Sequence, residues 1–170
     1  MTSRPSVRLF VENRGEELMA EGIFAEHVRE GRLTVTMCWT SSGVISAAET
    51  SLLLDPNVFV ALALNATEDS RERRLPIERI LDRTAPRIKW HLALAVPDMT
   101  SWIRNDSRFD ACMREEIVRG RSESKIEVAV QFKHWVQQFG PFNLEEASRT
   151  LPELAALNTF LSQSILAAAA

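Results

Sequence analysis

Eight consecutive positions, Asn57 to Leu64, carry no charge and are almost all apolar, and a polar group from Asn65 to Ser70 follows at once. A short apolar run bounded by polar residues predicts a strand buried on both faces. Three other stretches have strand character. Val7 to Val11 is rich in β-branched and aromatic residues, Leu33 to Trp39 alternates as a half-exposed strand does, and Ile88 to Val96 is wholly apolar in its second half. Between them the period becomes helical. Glu16 to Arg29 places Met19, Ala20, Ile23, Phe24 and His27 on one face, and Val44 to Leu53 is dominated by good helix formers. Leu75 to Arg83 points Ile77, Ile80 and Leu81 inward, with Pro76 expected in the first turn or the loop before it. Strands that alternate with helices need crossover connections. The chain is therefore expected to be an α/β protein, with a four-stranded, mostly parallel sheet and helices on both faces.

Beyond Asp98 the pattern is helical throughout. Asp98 or Thr100 can cap a short helix through Trp102, and Ser124 with Glu127 forms a capping box. The helix opened there carries Val128, Phe132, Trp135, Val136 and Phe139 on one stripe and stops at Gly140-Pro141. Asn143 and Thr150 are expected to start two more helices in the same way, the last apolar at Leu154, Leu157, Leu161 and Ile165. The division this suggests is an α/β core over 1–110 and a helical C-terminal extension over 111–170, packed on the core.

With 170 residues, 45% hydrophobic and 25% charged, the composition is that of a globular chain with a real core. The net charge of −3 removes any global basic field that would advertise nucleic acid. Locally the balance differs, because Arg71, Arg73, Arg74, Arg79, Arg83, Arg87 and Lys89 crowd behind the central strand. Such a cluster is either the solvated face of a helix or a phosphate-contacting surface. Two cysteines, Cys38 and Cys112, make neither a disulfide framework nor a metal-ligand spacing, and they fit a reducing cytoplasm. The opening residues are too short and polar for a signal peptide, and no apolar run approaches a membrane span.

Phosphate-binding glycine loops, HExxH and GxSxG are absent, and His27, His91 and His134 show no pairing for metal on a helix face. What remains are acidic and polar residues at strand ends. Glu12 closes the first strand, Asn65, Thr67, Glu68 and Asp69 follow the central one, and Asp98, Thr100 and Asp106 follow the fourth. Parallel strands bring such ends to one edge, where converging carboxylates can hold Mg²⁺ for phosphodiester chemistry.

On these residues the chain resembles the Toprim domain of topoisomerases, primases and OLD-type nucleases. Val7-Arg8-Leu9-Phe10-Val11-Glu12-Asn13 is similar to the opening Toprim strand with its Glu-Gly pair, and Leu64-Asn65-Ala66-Thr67 falls where the family has Asp-x-Asp. The segment from Val96 to Asp106 resembles a motif of small bacterial Toprim-like proteins, and Lys125 with Leu157 to Leu161 resembles their helical tails. The departures are substantial. Asn13 replaces the glycine, Asn65 and Thr67 replace the two aspartates, and Thr100 stands where a glutamate is frequent. The resemblance implies a bacterial nuclease-associated protein whose metal site is degenerate, with Glu12, Asn65, Thr67 and Asp69 at the metal position and Mg²⁺ weakly held or lost. Its role would then be binding or regulation of DNA, RNA or an ATPase partner, with Arg14, Arg71, Arg73 and Arg74 on phosphates. An active Mg²⁺-dependent nuclease using Glu12, Glu68 and Asp69 is one alternative. A protein-interaction module with no nucleic-acid role is the other.

Overall fold

The computed structural model describes residues 6–67, 70–120 and 124–170. Four strands form one wholly parallel sheet: β1 (Ser6–Val11), β2 (Thr34–Met37), β3 (Val58–Asn65) and β4 (Trp90–Ala95), in the order β2-β1-β3-β4. Helices α1 (Arg14–Ile23) and α2 (Ala25–Arg29) connect β1 to β2, α3 (Ser41–Leu54) connects β2 to β3, and α4 (Ser70–Thr84) connects β3 to β4. The tail follows as α5 (Thr100–Ile103), α6 (Ser107–Val118), α7 (Lys125–Phe139), α8 (Leu144–Thr150) and α9 (Pro152–Ala169). Among the described residues no helix is long and apolar enough to cross a membrane.

Strand alternation sorts the core into two unlike halves. On one face β3 and β4 present Ala61, Ala63, Ala93 and Ala95, and on the other Val60, Leu62, Leu64, Leu92 and Leu94. The small side chains let α9 lie against the sheet through Leu154, Leu157, Leu161 and Ile165, all buried. The large ones meet α3 and α4 through Val44, Ala48, Ile77 and Leu81. β3 and the second half of β4 thus read as continuous apolar runs because both faces are covered.

The tail shares the alanine-face core. Phe109 meets Phe132 edge-on at 5.1 Å and Trp135 at 5.5 Å, and Phe132 meets Phe142 at 5.6 Å. α7 lies close along α1 because Gly22 has no side chain. A Cβ there would stand 2.5 Å from the ring of Phe132.

Several sequence expectations shift. The helix expected over Glu16 to Arg29 starts at Arg14 and breaks at Phe24 (φ −106°, ψ 33°), whose ring stays in the core while the chain turns. The strand expected over Leu33 to Trp39 is only Thr34–Met37, since Trp39 turns into the left-handed region. The helix expected from Val44 begins at Ser41, capped by the Thr40 hydroxyl on Gly43 N at 2.9 Å. α4 begins at Ser70, so Pro76 lies inside it. Glu72, whose carbonyl loses its N–H partner, is exposed where water can serve it. Ile80 is 36% exposed rather than inward, and Ile88 precedes β4 in a 3₁₀ turn, exposed. Trp135 is buried, but Phe139, at the last turn of α7, is 61% exposed. Thr150 does not cap α9. Its hydroxyl donates to Asn105 Oδ1 at 2.9 Å, and α9 opens with Pro152 instead.

Candidate functional site at the carboxyl edge

From β1 the chain moves to β2 over the alanine face, then returns to β3 and β4 over the leucine face. The direction reverses between β1 and β3, which makes the carboxyl ends of these two strands the crevice where α/β sheets bind ligands. Glu12, Asn65 and Asp98 all lie at this edge, as the parallel sheet requires.

One side chain ties the crevice together. Asn13 caps α1, its Oδ1 accepting from Glu16 N at 3.0 Å. Glu16 then turns back across the cap. Its Oε2 accepts the Glu12 backbone N–H at 2.9 Å, and its Oε1 accepts from the Asn65 amide. Glu16 is only 2% exposed. Burial pushes its pKa above the ordinary carboxylate value, helped by the nearby charge of Glu12 and opposed by the two hydrogen bonds just named and the N–H of Asn13. The Asn65 Oδ1 is shielded from solvent and has no hydrogen-bond partner among the described residues.

The other strand-end acids have structural partners. Asp98 accepts Thr100 N at 2.8 Å and pairs with Lys125 Nζ at 3.0 Å. Burial opposes its charge, but Lys125 and Thr100 hold its pKa below the ordinary value. Asp106 is fully buried, capping α6 and binding Arg108 at 2.8 Å and Asn143 N at 3.1 Å. Glu12 differs. Its half-buried carboxylate has no hydrogen-bond or ion partner among the described residues. Thr67 is exposed beyond the strand end, while Glu68, Asp69 and the side chain of Arg71 lie outside the described residues.

The remaining arginines of interest have partners, Arg14 at the surface and Arg73 and Arg74 in part-buried positions. Arg14 pairs with Glu17, Arg73 donates to Ser41 Oγ at 2.7 Å, and Arg74 donates to the Leu92 carbonyl at 2.9 Å and pairs with Glu78 and Glu153. A divalent ion at this edge would need several oxygen ligands facing one point. Asn65 instead turns an N–H toward Glu16, and no group of three or more His, Cys, Asp or Glu converges among the described residues. The donor set described does not fit a Mg²⁺ site.

Beside the crevice, Trp39 is held with φ +66° in a tight turn closed by Thr40 N donating to Cys38 O at 2.8 Å. Such three-residue turns are rare and strained. Gly43 permits it, since a Cβ there would lie 2.5 Å from Cys38 O. The indole is 76% exposed.

Neither Glu16 nor Trp39 stood out as a site residue in the sequence. For Glu16 a signal existed, because Asn13 followed three residues later by Glu16 is the spacing of a capping box. For Trp39 there was none, since a left-handed tryptophan has no local signature. No protein family, no curated protein and no solved structure matches the chain.

Proposed function

We propose that the protein is a Toprim-like binding or regulatory protein that does not cleave phosphodiesters. The observation that carries this reading is the bond between Asn65 and Glu16. At the end of the central strand an amide donates where the resemblance calls for a metal-binding carboxylate, and the neighbouring carboxylate is occupied at both oxygens.

The ligand we infer is a protein, in keeping with the ATPase partner that the resemblance implies, in a cytoplasmic setting. Arg73 and Arg74 engage part-buried partners and Arg14 pairs with Glu17 at the surface, which occupies three of the four arginines expected on phosphates. Trp39 offers a large side chain on a left-handed backbone, open to solvent. Tryptophans of this kind are enriched among residues that dominate binding energy.

The test combines a gel shift on short DNA and RNA at low salt with a cleavage assay in Mg²⁺ and Mn²⁺. The reading expects neither a shift nor cleavage. A salt-sensitive shift would restore the nucleic-acid ligand. Divalent-dependent cleavage lost in Glu12→Ala would replace the reading with the nuclease that uses Glu12, Glu68 and Asp69.

A further inference from the structure

Among the described residues two helices, α3 and α4, cover the leucine face of the sheet. α3 packs on β3 and β1, and α4 on β4, so the part of this face formed by β1 and β2 is left as an open groove of about 700 Å³. Its floor holds Arg8, in the middle of a central strand where an apolar residue would be the ordinary choice. Around it stand the hydroxyls of Ser6, Thr34, Thr36, Thr50 and Ser51.

Arg8 is unlike most arginines held against the fold; Arg73 also has no carboxylate partner among the described residues, but it donates a short bond to Ser41 Oγ at 2.7 Å. Arg74, Arg104 and Arg108 each pair with a carboxylate. Half-buried Arg8 has none among the described residues, and its one hydrogen bond is a long contact to Ser51 Oγ at 3.4 Å. Among the described residues no acidic side chain lines the groove. At its Ser6 end the Oγ is shielded from solvent and has no partner among the described residues. A guanidinium presents five donors in a fixed fork and matches a planar or tetrahedral oxyanion. Hydroxyls both donate and accept, so a ring of them matches other hydroxyls. A cation on a sheet strand, with no counter-charge among the described residues, is a departure from core patterning of the kind that marks functional positions.

We propose that the Arg8 groove binds a small hydroxylated oxyanion, with its phosphate or carboxylate head on the Arg8 guanidinium and its hydroxyls on the surrounding serines and threonines. The groove lies on the sheet face away from the Glu16 crevice, so the proposal stands apart from the reading given above.

Titration of the full chain, followed by amide chemical shifts at constant ionic strength, tests it. The probes are inorganic phosphate, glycerol 3-phosphate and glycerate. Saturable shifts confined to the neighbourhood of Arg8, Thr34, Thr36 and Ser51 are expected with at least one hydroxylated probe. Preference for glycerol 3-phosphate assigns a phosphate head, and preference for glycerate a carboxylate. Arg8→Gln should weaken binding about tenfold or more, the loss expected for one charge-assisted contact. Arg8→Lys should recover part of it. Thr36→Val, on an exposed strand position that valine suits, should weaken the hydroxylated probes more than inorganic phosphate. No saturable shift with any probe, shifts mapping elsewhere, or unchanged affinity in both Arg8→Gln and Thr36→Val would overturn the proposal.

Discussion

Arg74 and Glu153, 79 positions apart and on opposite faces of the sheet, join across the outer edge of β4. Arg74 donates to the Leu92 carbonyl at 2.9 Å, and Glu153 accepts the Leu94 N–H at 3.2 Å, so one ion pair satisfies two of the outward backbone groups of β4. The opposite edge is treated alike. Cys38 N donates to Val11 O, so Met37 N points away from β1, where Glu17, itself paired with Arg14, accepts it at 3.2 Å. Open strand edges template pairing with other chains, and covering them with charged side chains prevents it.

Glu153→Ala should therefore do two things. It should cost about 1 kcal/mol in a urea melt, because the Leu94 N–H loses its acceptor and Arg74 its partner. It should also raise self-association relative to the parent chain, read by sedimentation. A variant unchanged in both respects would show that the pair does not guard the edge.

The aromatic stripe of α7 should divide sharply. Trp135 is 7% exposed and Phe139 61%. Trp135→Ala should destabilise by about 3–5 kcal/mol, as for other large buried side chains. Phe139→Ala should stay within about 0.5 kcal/mol, the usual range for surface changes. Equal losses in denaturant melts would contradict the packing described.

The sheet was legible because its signals are local. Asn57 to Leu64 is apolar on both faces, and the spacing between strands leaves room only for crossovers. Element ends were less legible, since tertiary contacts fix them. Phe24 breaks a helix to keep its ring in the core, and Trp39 ends a strand because Gly43 lets α3 close over Cys38. The strand-end position of Glu12 and Asn65 was also readable, following from parallel order alone. What joins them was not. Glu16 sits a helical turn after β1 and bonds to a residue 49 positions away. Only the folded crossover brings them together.

Glu16 should leave a trace in the pH dependence of stability. A carboxyl whose pKa is raised by folding stabilises the folded state fully below its unfolded value of about 4.5, and that contribution is lost as pH rises through the raised value. The melting temperature should therefore carry a downward component above about pH 4.5. Glu16→Gln should remove it, because the amide has no charge to desolvate and can still accept the Glu12 N–H and donate to the free Asn65 Oδ1. A melting profile identical to that of the parent, or a component of opposite sign, would count against the buried position of Glu16.

The central claim is that the carboxylates at the crevice serve the fold rather than a metal. Glu12 is the one strand-end acid left without a partner among the described residues, and a single carboxylate holds a divalent ion poorly. Relaxation of backbone amides by Mn²⁺, followed around Glu12, Glu16 and Asn65 in a titration, reads this directly. The account predicts no saturable broadening in the parent chain, and saturable broadening once Asn65→Asp and Thr67→Asp add two carboxylates at the end of β3. Saturable broadening in the parent that disappears in Glu12→Ala would contradict it.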